Sequence, residues 1–192
     1  MEEVYGASAE APDAPGDTAT AQVRRALSAA GLDQTEIGAG LERWCRSFSE
    51  HYLHLLAEAD TSHWLLAPHA AEAVAAVRQR ALLTGNPPDV AHARMDRLGL
   101  AAFFPRGQGA FGCERENRVE LFALARERAG DWPLETTVAV GDTPLDISSA
   151  RDAGCLCVAV ATGRYGKGEL GHADVVIPDL SALGAALRTL VE

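Results

Sequence analysis

Apolar positions along this chain recur with two different periods, and the change falls near Ala81. Before it, Leu41, Trp44, Phe48, Tyr52 and Leu55 or Leu56 return every three or four residues. That spacing predicts one long helix from about Thr35 to Ala59. Residues 21–30 read as a shorter helix, and Pro68 opens another through Ala70, Val74 and Val77. Residues 1–20 are poor in large apolar groups and carry Gly6, Pro12, Pro15 and Gly16, which predicts loop or frayed helix. The first part of the chain is therefore expected to be all helical.

After Ala81, short apolar runs alternate with helical patterns. Ala81-Leu82-Leu83 ends at Thr84-Gly85-Asn86, and Pro87 and Pro88 start a helix that Gly99 stops. Ala102-Phe103-Phe104 is a second short run, followed by a helix from about Glu116 to Ala129. Then come a strand over Thr136–Val140, a helix over Pro144–Ala153, a strand over Cys155–Val160 and a glycine-rich loop. A strand over Asp174–Ile177 and a helix over Leu180–Leu190 complete the pattern. Nearly continuous apolar strands between helices predict an α/β fold with a parallel sheet covered on both faces.

Composition narrows the partners. The 192 residues favour one main domain with a small insertion, and 47% hydrophobic content suffices for a sizeable core. A formal charge of −10 argues against nucleic acid and against an anionic membrane as partners. No apolar run is long enough to span a bilayer. Met1-Glu2-Glu3 lacks the basic start and apolar core of a signal peptide. Of the four cysteines, Cys45, Cys113, Cys155 and Cys157, none forms a Cys-x-x-Cys pair. Reduced structural thiols and a cytoplasmic setting are expected.

The most informative stretch is Val138-Ala139-Val140-Gly141-Asp142-Thr143-Pro144-Leu145-Asp146. A buried strand ends in Gly-Asp; Thr143 then reads as a helix N-cap and Pro144 as the first helical residue. Asp142 in the turn and Asp146 in the first helical turn can both face the crevice where parallel sheets bind ligands. Paired carboxylates there suit a hard cation such as Mg²⁺. The same pattern also suits a well-capped helix after a strand, so the rest of the chain must decide. Thr84-Gly85-Asn86 offers a hydroxyl and backbone N–H groups ahead of a helix, an anion cradle or a simple turn. Arg118 near a helix start can neutralise phosphoryl charge, or can be a solvated cation on a charged face.

Other motifs carry less. Gly107–Gly112 matches Gly-x-Gly-x-x-Gly, but Pro105 and Arg106 intervene before it and Cys113-Glu114-Arg115 delays the helix after it. No acidic strand end follows at the required distance, which disfavours a dinucleotide site. Gly163–Gly168 fails the P-loop pattern at both ends and reads as a loop beside the crevice, with Arg164 and Lys167 as solvated cations. His51 and His54, with Glu58 as the one possible acidic partner, read as surface histidines of an amphipathic helix. Trp44, Tyr52 and Trp64 read first as packing aromatics.

Taken in order, Leu82–Asn86, Arg118 and Gly141–Asp146 resemble the haloacid dehalogenase-like hydrolase superfamily, in its phosphoglycolate phosphatase-type branch. The resemblance implies a Rossmann-like core over residues 76–192 and an N-terminal all-helical cap over residues 1–75. It implies that Thr84, with Gly85 and Asn86, binds the transferring phosphoryl group, and that Arg118 stands where the family more often has Lys. Asp142 and Asp146 would hold Mg²⁺, directly or through water. The implied substrate is a small phosphomonoester, hydrolysed through an aspartyl-phosphate.

One family element is missing. The first motif, Asp-x-Asp at the end of the first strand, supplies the nucleophile and the general acid. No Asp-x-Asp occurs in this sequence. By the resemblance, Met1 falls just after the place where that strand ends, and the strand is central, between those carrying Thr84 and Asp142. Its loss is expected to leave unpaired backbone groups in mid-sheet. Arg78-Gln79-Arg80 also leaves little room for a turn and a full strand before Thr84. Three explanations follow: a longer active phosphatase, an inactive relative, or a protein repurposed to bind a phosphorylated ligand or a protein partner. No catalysis is expected from these residues alone. A dehalogenase would leave the Asp142/Asp146 pair unexplained.

Overall fold

The strand over Leu156–Val160 sorts its side chains by parity. Cys157 and Ala159 enter a core with Phe122, Ile147, Ala150 and Leu170. Val158 and Val160 enter another with Ile177, Leu183 and Ala186. A strand apolar at every position must be covered on both faces, and helices supply both covers.

The structure is a computed structural model that describes residues 1–11 and 13–191. Pro12, counted above among the loop residues, lies outside them. The elements in chain order are α1 (Glu2–Tyr5), α2 (Ala19–Ala29), α3 (Gln34–Glu58), α4 (Ala70–Ala76), β1 (Leu83–Thr84), α5 (Pro88–Arg97), β2 (Ala110–Phe111) and α6 (Arg118–Arg128). They continue with β3 (Val138–Gly141), α7 (Pro144–Asp152), β4 (Leu156–Val160), β5 (Val175–Ile177) and α8 (Leu183–Val191). Helix α7 packs against β3 and β4, and α8 covers β4 and β5 from the other side.

The helical N-terminal part has its own core of Val23, Leu27, Ile37 and Trp44. Asp33 caps α3, accepting from the Thr35 and Glu36 N–H groups at 2.8 and 3.4 Å. Thr18 caps α2, accepting from Ala21 N–H at 3.2 Å. These caps occupy donors that the first helical turn cannot satisfy itself. None of the described helices is long and apolar enough to cross a membrane.

All strand pairs are parallel, but the sheet is divided. Strand β1 pairs with β2, and β3, β4 and β5 form a second ladder. Among the described residues no ladder joins β1 to β3. Val140, on a strand expected to be buried, is 45% exposed. Both facing strands, through Leu83, Thr84, Val140 and Gly141, line one cavity. Strand β1 itself is only two residues long. The short approach to it is braced by Arg80, whose Nε donates to the Phe103 carbonyl at 3.2 Å and whose guanidinium lies over the Phe103 ring.

Two expectations are corrected. The run Ala102-Phe103-Phe104 is no strand: Ala101–Phe103 is a 3₁₀ turn, and the partner of β1 lies at Ala110–Phe111. Gly109, at φ +82°, turns the chain so that Ala110 N–H donates to the Leu82 carbonyl at 2.9 Å. Nor are all four thiols reduced. Cys45 and Cys113 form a disulfide, whereas Cys155 and Cys157 are free and buried. Folding brings α3 onto the loop after β2, a proximity that 68 residues of separation conceal. The expectation of four reduced thiols, the basis for expecting a cytoplasmic setting, is therefore not met.

Candidate functional site

Strand β3 ends at Gly141, and the next turn does what its residues predict. Thr143 Oγ1 accepts from the Asp146 N–H at 3.1 Å, and Pro144 opens α7. Asp146 answers with a reciprocal cap. Its Oδ2 accepts from the Asp142 and Thr143 N–H groups at 3.1 and 3.0 Å and from the Thr143 hydroxyl at 2.8 Å. This is a capping box built from carboxylate and hydroxyl. The other oxygen, Oδ1, pairs with the Arg118 guanidinium. Both partners are nearly buried, at 11% and 12% side-chain exposure. Asp146 is thus committed on both oxygens, while Asp142 remains open to the cavity.

Asp142 carries the electrostatic cost of this arrangement. Partial burial pushes its carboxyl above the usual carboxylate range, and the neighbouring Asp146 charge pushes in the same direction. Gly163 of the glycine-rich loop lies directly against its carboxylate, so that loop does flank the crevice. The acidic pair suits a hard cation in chemistry, and Mg²⁺ commonly needs only one or two protein carboxylates besides water and substrate oxygens. Among the described residues there is no cluster of three or more His, Cys, Asp or Glu side chains arranged for a metal.

Thr84, Gly85 and Asn86 stand across the same cavity, of about 730 Å³, together with Arg118, Asp142 and Asp146. All six candidate residues line one space. The cradle differs from expectation in one respect. Asn86 turns its backbone N–H and its side-chain amide back to Thr84 Oγ1, at 3.2 and 3.1 Å. The Thr84 hydroxyl proton remains free to be donated, but the Asn86 N–H is already used.

Arg118 has one notable vacancy in its hydrogen bonding. Its Nη1 donates to the Gly16 carbonyl at 2.5 Å and its Nη2 to Asp146. Its Nε is buried without any acceptor. A buried guanidinium N–H without an acceptor is an uncompensated donor.

A segment that the sequence left as loop reaches this site. Ala19 N–H donates to the Gly85 carbonyl at 2.8 Å, and Thr20 Oγ1 to the Gly112 carbonyl at 2.6 Å. Thr18 Oγ1 donates to the Glu116 carbonyl at 2.7 Å. Asp13 and Asp17 line the cavity, paired with Arg164 and Arg25. The signal available in sequence was the N-capping Thr18 ahead of α2. Trp44 and Phe48 also line the cavity, stacked with centroids 5.1 Å apart. Tyr52 packs on Phe48, and Trp64 lies under Arg94. His51 and His54 are exposed on α3.

The cradle is held by backbone-to-backbone contact. Gly112 N–H donates to the Asn86 carbonyl at 3.0 Å, and a Cβ on Gly112 would overlap the Gly85 backbone. Backbone cannot swing aside as a side chain can. Gly112→Ala is therefore expected to lower stability by about 1–3 kcal/mol, measured by urea unfolding, and to loosen the Thr84–Asn86 turn.

Residues 4–154 match the family model described as haloacid dehalogenase-like hydrolase. The chain is similar to a phosphoglycolate phosphatase of Shigella boydii serotype 4 (strain Sb227), with 28% identity over 152 residues. That match covers 76% of this chain and 59% of the relative, so the chain spans about three fifths of the relative's length. A Bacteroides vulgatus protein solved as a candidate beta-phosphoglucomutase shares the fold at TM-score 0.63 and 15% identity, over 92% of this chain and 73% of its own. A conserved haloacid dehalogenase-like protein of unknown function from Agrobacterium tumefaciens str. C58 does so at TM-score 0.56 and 17% identity, over 90% and 91%. The parallel α/β architecture, the single cavity shared by the three motifs and a family match over most of the chain agree: this protein belongs to the haloacid dehalogenase-like hydrolases.

Proposed function

We propose that this chain recognises a small phosphomonoester as a phosphatase of the phosphoglycolate phosphatase type, with residues 1–75 as cap and 76–192 as core. The observation that carries this is that Thr84, Arg118, Asp142 and Asp146, from three separate motifs, line one cavity. The Arg118 charge would attract phosphoryl oxygens, and the Thr84 O–H would donate to one of them.

Asp142 and Asp146 would hold Mg²⁺, Asp142 as the carboxylate open to the cavity and Asp146 mainly through its charge. When bound, the ion would neutralise phosphoryl charge. Arg118 orients the phosphoryl group and balances Asp146, and Trp44 and Phe48 exclude water from one wall. Hydrolysis through an aspartyl-phosphate needs a carboxylate that attacks phosphorus while the ester oxygen leaves as an alcohol. Asp-x-Asp, which serves that role in the family, does not occur in these 192 residues. A second possibility is therefore a binding protein without turnover, favoured by the existing engagement of Arg118 with Asp146 and Gly16.

Calorimetric titration with phosphoglycolate and Mg²⁺, beside a phosphate-release assay, tests both. The chain as it stands is expected to bind without releasing phosphate, and Arg118→Ala to weaken binding about tenfold or more. Turnover is expected when an apolar segment ending in Asp-x-Asp-Gly precedes the chain. Binding unaffected by Arg118→Ala would refute the phosphomonoester assignment. Turnover by the present chain that Asp142→Asn abolishes would mean that a different residue acts as nucleophile.

A further inference from the structure

The Cys45–Cys113 disulfide joins α3 to the loop after β2, packed against the core of Val23, Leu27, Ile37 and Trp44. Cys45 sits on α3 between two cavity-lining aromatics, directly after Trp44 and three residues before Phe48. Its carbonyl accepts from Ser49 Oγ at 2.8 Å, which fastens the same turn. Cys113 follows Gly112, whose N–H holds the Asn86 carbonyl and whose own carbonyl holds Thr20. One covalent bond thus ties the aromatic wall of the cavity to the turn that carries Thr84. The Cα atoms lie 6.1 Å apart, within the ordinary range for a disulfide.

The four cysteines divide into two kinds. Cys45 and Cys113 are only half-buried. Cys155 and Cys157 are buried in the sheet core, at 6% and 3% exposure. Burial pushes the Cys155 thiol up and drives Cys157 to about 12, so neither supplies a thiolate for exchange. Of the four cysteines, only the two of the bridge are not fully buried.

We propose that Cys45–Cys113 is an exchangeable redox latch that, when oxidised, fixes Trp44 and Phe48 over the Thr84–Arg118 cavity and, when reduced by a dithiol, releases α3. This goes beyond ligand recognition and holds whatever the ligand is. A thiolate of the dithiol attacks one bridge sulfur, and the S–S bond breaks to leave a mixed disulfide and one protein thiolate. The dithiol's second sulfur then displaces the remaining protein sulfur. Two electrons pass to the protein, two protein thiols form after protonation, and the dithiol leaves as its own disulfide. Reoxidation needs a small-molecule disulfide as acceptor and runs through the same steps in reverse.

The test uses the folded 192-residue chain with dithiothreitol as the dithiol. Differential alkylation with mass spectrometry is expected to label Cys45 and Cys113 after reduction under native conditions, and to leave Cys155 and Cys157 unlabelled. Under native conditions local opening is expected to quicken hydrogen exchange by about tenfold or more in residues 40–52, 84–86 and 110–114, while β3 and β4, which open only globally, follow the loss of global stability. Cys45→Ser/Cys113→Ser is expected to exchange like the reduced protein with or without dithiothreitol. The wild-type comparison stands by itself if that variant fails to fold. A bridge that resists dithiothreitol in the native protein would overturn the proposal. So would unchanged exchange in all three segments, which would make the bridge a constraint on the unfolded chain alone.

Discussion

Asp146→Ala is expected to destabilise the protein by about 3–5 kcal/mol, because it strands a nearly buried guanidinium. Arg118 and Asp146 are 11% and 12% exposed, and Asp146 also completes the α7 capping box through three further hydrogen bonds. Asp142→Asn, four residues away, has the opposite expected sign. The folded-state carboxyl of Asp142 lies above its ordinary value of 3.8, so the folded protein holds that proton more tightly than the unfolded chain. Its ionisation therefore opposes folding. The penalty is absent below the ordinary value, grows as pH rises toward the raised folded value, and is fully present above it. Asparagine removes the penalty. Urea unfolding at neutral pH, without added metal, is expected to show Asp142→Asn at least as stable as wild type, with a flatter acid-side profile. Added Mg²⁺ should stabilise wild type and leave Asp142→Asn unchanged. Equal destabilisation by the two substitutions would refute this division of labour.

Reduction of Cys45–Cys113 is expected to cost about 4 kcal/mol on a chain-entropy estimate for a bridge across 68 residues. For a chain of this size that corresponds to a Tm fall of about 8–16 °C. Thermal melts with and without dithiothreitol measure it. The Cys45→Ser/Cys113→Ser chain should melt at the reduced value in both buffers. Little change on reduction would mean that α3 and the loop after β2 stay together through packing alone.

Short-range pattern carried most of the fold. The three- to four-residue spacing from Leu41 to Leu56 located α3 almost to its ends, because one face of a helix must meet a core. Thr143-Pro144 with Asp146 three residues beyond the cap announced a helix start, and the capping box formed as those residues require. Strand β2 was illegible for the same reason. Ala110–Phe111 is two residues inside a glycine run, too short to display a period, and it is a strand only because Leu82 and Gly109 place a partner beside it. The apolar Ala102-Phe103-Phe104 run, lacking a partner, closed into a 3₁₀ turn instead.

Of the candidate site, Asp142 and Asp146 lie in a turn whose local chemistry is self-contained, whereas Thr84 and Arg118 gained meaning only from the order of the three motifs. Their occupation was not legible. That Asp146 spends both oxygens on Arg118 and the cap, that Arg118 Nε lacks an acceptor, and that Asp13–Thr20 closes one side of the cavity all depend on residues far apart in the chain. The sequence by itself determined the longer helices, strands β3, β4 and β5 and the acidic turn after β3, because each is governed by neighbours within a few residues. Only the tertiary structure decided the divided sheet, the Cys45–Cys113 bridge and the partners of Arg118, because backbone pairing, disulfide formation and buried charge compensation depend on groups that sequence distance keeps apart and folding brings together.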